Sequence, residues 1–266
     1  MDIAGIPYVM ILLVAGIACG LINTLASSGS AVSLPILMML GLPPLAANAT
    51  NRLSVLFGSL MALKTFHSQG KIDWAAAAKM VLPATLGSVI GVWVAEMLPA
   101  RDMGLAIVAA VLVALLLLFS KLKAALARDQ VLPAEVTPPS LFAVTFVGFW
   151  LGFLVLDGAT YLLLVLILLC RFDLPHANAL KVFLLVATTL VPIVLFARSG
   201  DIWWKEGLLL SIGSILGGYI GARLSSFEGA RVWVFRILVV VIGLELIHLG
   251  IHYFGTSLYQ AMRMDI

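Results

Sequence analysis

The chain has 266 residues, of which 62% are hydrophobic and 11% charged, with a formal net charge of +3 and a mean hydropathy of +1.14. Soluble domains carry about 25% charged residues, so there is too little charge here to coat a water-facing surface, and the chain reads as an integral membrane protein. Apolar runs of helical length recur without strand-length alternation, which predicts an all-α polytopic bundle rather than a barrel. No basic patch suits nucleic acid.

In chain order, apolar segments fall at 8–27, 46–66, 74–98, 101–120, 140–156, 176–197, 203–225 and 229–253. Shorter ones at 30–40 and 158–170 follow directly on the first and fifth. The first segment has an acidic flank and reads as a retained helix, not a cleaved signal. Residues 8–40 would make a helix of roughly 50 Å, too long for one crossing of a ~30 Å core and too short for two. The spacing predicts a break at "ASSGS", Ala26 to Ser30, and a second at "LDGAT", Leu156 to Thr160. The polar stretch 121–139, with Lys121, Lys123 and Arg128 before its prolines, reads as a cytoplasmic linker between repeats at 1–120 and 140–266.

The halves overlay. At an offset of 132, Gly16 and Gly20 meet Gly148 and Gly152, and Leu42-Pro43 meets Leu174-Pro175. At 130, Ala47-Asn48-Ala49 meets Ala177-Asn178-Ala179, Leu86-Gly87 meets Leu216-Gly217, and Ile90-Gly91 meets Ile220-Gly221. Duplication of this kind marks transporter folds, whose sites lie where the repeats meet. Five membrane elements per half would invert the copies and four would leave them parallel; the distribution of loop charge favours inversion.

The polar residues gather near two proline-led helix starts. Asn48, Asn51 and Arg52 stand at i, i+3 and i+4 and share a face, with Thr50 between; Asn178 and Lys181 stand at i and i+3 in the second copy. Helix N-termini add exposed N–H groups, so the constellation suits an anion. Taken singly, an asparagine there can cap and an arginine can snorkel; their presence in both copies favours binding. Ser28, Gly29 and Ser30 in the first break supply hydroxyls and backbone, as does Gly158 in the second, though small residues also serve close packing. Asp157 and Glu245 are proton-coupling candidates. Asp157 has a structural ion-pair partner role as its alternative, with Lys181 or Arg52, and Glu245, in a row with His248 and His252, has interfacial packing. Trp74, Trp203 and Trp204 read as interfacial anchors. Cys19 and Cys170 read as packing residues, with no metal site.

With "GLPPLAANATNR" or "DLPHANALK" followed by "GKIDW" or "GDIWW" behind a small-residue break, the chain resembles the sulfite exporter TauE/SafE family, also called the toluene sulfonate uptake permease family. The resemblance implies a secondary transporter of the cell inner (plasma) membrane, not an enzyme and without cofactor. Its substrate would be a small sulfur-containing anion, an organosulfonate such as sulfoacetate or sulfite, bound among Asn48, Thr50, Asn51, Arg52, Asn178 and Lys181. Its surroundings would be the lipid bilayer; a homo-oligomer is left open. The glycine run that family members often carry at the first break is "ASSGS" here. Two other classes compete: an anion channel for the same substrates, and an intramembrane serine protease using Ser28. The latter lacks the glycine two residues before the serine and a suitably placed histidine. No nucleotide-binding motif occurs, so ATP is not the direct energy source.

Overall fold

The computed structural model describes residues 5–99, 101–106, 109, 134–156 and 158–225; Asp157, Glu245 and most of the 121–139 linker lie outside the described residues. The chain is all-helical there. The first half runs α1 (Gly5–Ala26), α2 (Ser30–Met39), α3 (Pro44–Ser68) and α4 (Trp74–Met97). The second runs α5 (Pro138–Phe153), α6 (Gly158–Leu164, continued by a π-helical turn, Val165–Leu169), α7 (Leu174–Ser199) and α8 (Trp204–Leu224). Among the described residues four stretches are long and apolar enough to cross a membrane: Pro7–Leu25, Trp74–Met97, Leu174–Ser199 and Trp204–Leu224.

Proline placement explains where the helices start. Pro44 occupies the first turn of α3 and Pro175 that of α7, positions whose N–H would be unpaired in any case. Asp173 caps α7 by accepting from His176 N at 3.0 Å, and Asp73 caps α4 by accepting from Ala76 N at 3.0 Å. The second of these assigns the aspartate of "GKIDW" to helix initiation. With 10 residues, α2 spans only about 15 Å, half of a ~30 Å hydrocarbon core. The expected break in 8–40 is therefore present, as a turn over Ser27–Gly29.

Packing is governed by small residues. On α4 the exposed face carries Leu82, Leu86, Ile90, Trp93 and Met97, while Gly87, Ser88 and Gly91 are buried. On α8, Leu208, Ile212, Leu216 and Ile220 are exposed, with Gly213, Ser214, Gly217 and Gly218 buried. Bulky residues outside and glycine inside reverse the soluble pattern, as expected where lipid is as apolar as leucine and close backbone approach provides the attraction. A Cβ on Gly16 would overlap Leu210 O and one on Gly20 would overlap Ser214 O, so α1 lies directly on α8. Likewise Gly148 and Gly152 of α5 sit on the carbonyls of Ala84 and Ser88 in α4. The glycines matched at the 132 offset are thus the contact residues of two interfaces, each joining the two halves. Gly152→Ala is expected to destabilise the protein by about 1–3 kcal/mol, because the obstacle is backbone and cannot turn aside; thermal unfolding in detergent reads this, and the exposed Leu86→Ala should be near neutral.

The contacts also fix helix senses. Along the α1–α8 contact Gly16 faces Leu210 and Gly20 faces Ser214, so the two run parallel. Helix α3 runs with them: Thr50 meets Trp203 and Gly207, and Gly58 meets Ser214 and Gly218. The short turn at Gln69–Asp73, with the His67 and Trp74 rings 5.6 Å apart, sends α4 back the other way. Helix α5 runs parallel to α4, and α7 does too, since Phe183 meets Trp74 at the starts and Ser199 meets Glu96 at the ends.

Candidate functional site

Where α1 stops, Ser27 adopts a left-handed φ of 71° and its N–H closes the helix onto Ile22 O at 3.0 Å and Asn23 O at 3.2 Å. This conformation is unfavourable for a residue with a Cβ, so neighbours must hold it. The principal one is Lys181 of α7, wholly buried. Its ammonium donates to Ser27 Oγ and Asn178 Oδ1, each at 2.9 Å, to Asn23 O at 3.1 Å and to Thr24 O at 3.4 Å. The last carbonyls of a helix lack intrahelical partners and carry partial negative charge. Lys181 therefore caps the C-terminus of the other half's broken helix.

The second break is held in the same way. Asn48 of α3 donates from Nδ2 to Phe153 O at 3.0 Å and accepts from Val155 N at 3.0 Å, docking the unwound strand as another peptide would. One turn on, Arg52 donates from Nη1 to Leu151 O at 2.7 Å and from Nη2 to Gly152 O, with its guanidinium 5.1 Å from the Phe196 ring centroid. Each proline-led helix thus carries a cation to the terminus of the opposite half's broken helix; beside it Asn48 binds the backbone directly, while Asn178 accepts from Lys181. Arg52 is 1% exposed and Lys181 0%, so neither snorkels to headgroups. Among the described residues no carboxylate stands within ion-pair distance of either.

The breaks touch each other. Ser28 Oγ lies 2.9 Å from Thr160 Oγ1 in the first turn of α6, and Thr160 Oγ1 also donates to Ser27 O at 3.4 Å. Gly29 is packed so closely that a Cβ would overlap Cys19 O, and Gly158 meets the Leu151 side chain. Ser30, buried, opens α2.

Two predicted residues face elsewhere. Thr50, two positions and roughly 200° around α3 from Asn48, accepts from Trp203 N at 3.0 Å and anchors the start of α8. Asn51 points between α1, α2 and α3, where Oδ1 accepts from Ser33 Oγ at 2.6 Å and Ser54 Oγ at 3.1 Å. Cys19 Sγ lies 3.3 Å from Ser33 Oγ and 3.6 Å from Ser54 Oγ. Both cysteines are free and buried. Three buried polar atoms, Asn51 Nδ2, Arg52 Nε and Ser59 Oγ, have no hydrogen-bond partner among the described residues. Such groups cost free energy unless an acceptor reaches them. Sequence reasoning placed the cations at helix starts but did not find their carbonyl partners in the opposite half. It named Thr160 only as a break residue, although the 132 offset pairs it with Ser28.

The model of a family described as "Sulfite exporter TauE/SafE" matches residues 12–247. A protein of Sinorhizobium sp described as a probable membrane transporter is 30% identical over 237 residues, covering 88% of this chain and 89% of that one. Another so described, from Haemophilus influenzae, is 28% identical over 242 residues, 91% of this chain and 93% of that one. A third, from Bacillus subtilis, is 24% identical over 268 residues, 91% and 98% of the two chains. No solved structure matches. The chain is a membrane transporter, not an enzyme, and belongs to the sulfite exporter TauE/SafE family.

Proposed function

We propose that the protein is a multi-pass secondary carrier of the inner membrane for a small sulfur-containing anion, an organosulfonate such as sulfoacetate or sulfite. The observation that carries this reading is electrostatic. Two fully buried cations, Arg52 and Lys181, converge on the ends of two broken helices that meet at Ser28 and Thr160, and carbonyl, amide and hydroxyl dipoles are their described partners. Among the described residues no carboxylate pairs with either cation, and an unpaired buried charge is expensive; a monoanion entering beside it supplies a countercharge. A sulfonate offers three acceptor oxygens, which suits charge-assisted bonds and Arg52 Nε, a buried donor with no partner among the described residues. Substrate contact is assigned to Gly29, Ser30, Asn178 and Lys181 at one break and to Asn48, Arg52 and Gly158 at the other; Ser28, held by Thr160, joins the breaks, while Asn51 braces α3 against α2 and Thr50 anchors α8. Asp157 and Glu245 remain the proposed proton-coupling groups.

The helix senses support two inverted repeats, 1–120 and 140–266. Helices α1, α3 and α4 run opposite to their sequence counterparts α5, α7 and α8. Inverted repeats with broken helices at their junction suit alternating access, one repeat rocking on the other. Purified protein in liposomes, tested with sulfite, thiosulfate, sulfoacetate, taurine and aryl sulfonates, should show counterflow: unlabelled anion inside should accelerate uptake of labelled anion. Conduction without trans-stimulation would instead identify a channel, and no flux of any of these anions would reject the substrate class.

A further inference from the structure

The hydroxyl pair at the junction is spaced by the same offset that relates the two halves. The offset of 132 holds on both sides of the break, at Gly16 and Gly20 before it and at Leu42-Pro43 after it. Ser28 and Thr160 are separated by that same 132 residues. They are each other's counterparts, and they are in contact. In an object built from two related halves, a residue can touch its own counterpart only where the relating axis passes between them. Ser28 Oγ and Thr160 Oγ1 therefore flank the axis of the molecule.

The surrounding contacts are asymmetric. Helix α1 continues to Ala26, whereas α5 stops at Phe153, the counterpart of Leu21 and more than a turn short. Lys181 binds at Asn23, Thr24 and Ser27, while Arg52 binds at Leu151 and Gly152, the counterparts of Cys19 and Gly20. When the halves of an inverted-repeat carrier exchange conformations to open the other side, each asymmetric contact is replaced by a different one. A contact between counterparts is carried onto itself. We propose that the Ser28–Thr160 contact is the fixed pivot of alternating access, kept in both end states, while the capping contacts of Lys181 and Arg52 break and re-form around it. This rests on the inverted-repeat carrier reading above.

The test is a Ser28→Cys/Thr160→Cys variant in a Cys19→Ala/Cys170→Ala background, oxidised to a disulfide in liposomes. Oxidation is expected to reach one cross-linked species with or without sulfite or sulfoacetate present, and the cross-linked carrier to keep counterflow within about twofold of the reduced form. Counterflow abolished by oxidation and restored by reductant would make the pair a gate and overturn the proposal, as would a fraction refractory to oxidation that grows with substrate. The yield is read without transport, so it decides the pivot even if the chosen anions are not carried; wild-type counterflow alone tests the substrate reading. Should the cysteine variant misfold, exchanging the side chains, Ser28→Thr with Thr160→Ser, preserves a contact on the axis. It should transport within about twofold of wild type, and loss of transport by this folded variant would overturn the pivot.

Discussion

Arg52→Ala is expected to destabilise the protein by roughly 2–4 kcal/mol. Two carbonyls at the end of α5 lose hydrogen bonds to a charged donor, worth about 1.5–3 kcal/mol each, in a place where water is not at hand to replace them. Contact with the Phe196 ring is lost as well. Against this, removing a wholly buried guanidinium lifts its desolvation cost, which for buried ions offsets much of the attraction. The carbonyls decide the sign, because they are helix-terminal and α5 cannot continue to satisfy them: the next residues are already held by Asn48. Arg52→Lys should fall between, since an ammonium keeps the charge but cannot span Leu151 O and Gly152 O in the forked geometry that guanidinium provides. Thermal unfolding in detergent checks both. An Arg52→Ala protein as stable as wild type would show that the α5 terminus is held by Asn48 alone.

Much of this architecture was legible beforehand. Segment length located the first break, because 8–40 fits neither one nor two crossings, and the prolines at 43, 44 and 175 located the starts of α3 and α7. The glycine matches were visible as a pattern; their meaning, close contact of α1 with α8 and of α5 with α4, was not, since periodicity says which residues share a face and not what the face meets. The destinations of Arg52 and Lys181 stayed hidden for the same reason. Their partners are backbone carbonyls, which every residue possesses, so no residue type announces them. Thr50 illustrates the limit within a single motif. It lies inside "ANATNR", yet its place on the helix turns it toward Trp203 rather than toward the breaks.

Lys181→Gln should separate holding the fold from holding the anion. Glutamine keeps two amide donors near Ser27 Oγ and Asn23 O but carries no charge. Capping is then partly retained, and stability should change by less than about 1 kcal/mol, because the weaker hydrogen bonds are balanced by the lifted cost of burying a charge. Anion affinity has no such compensation. Losing a charged hydrogen-bond donor in a dry site costs about 2 kcal/mol, which raises Kd roughly 30-fold. Titration of purified protein with the best anion from the counterflow screen reads the affinity, and a melt of the same sample reads the stability. Stability lost with affinity intact would make Lys181 purely a helix cap and move the binding site elsewhere. Affinity lost with stability intact would tie the anion to the cation that touches the break at Ser27, one residue from the pair on the axis.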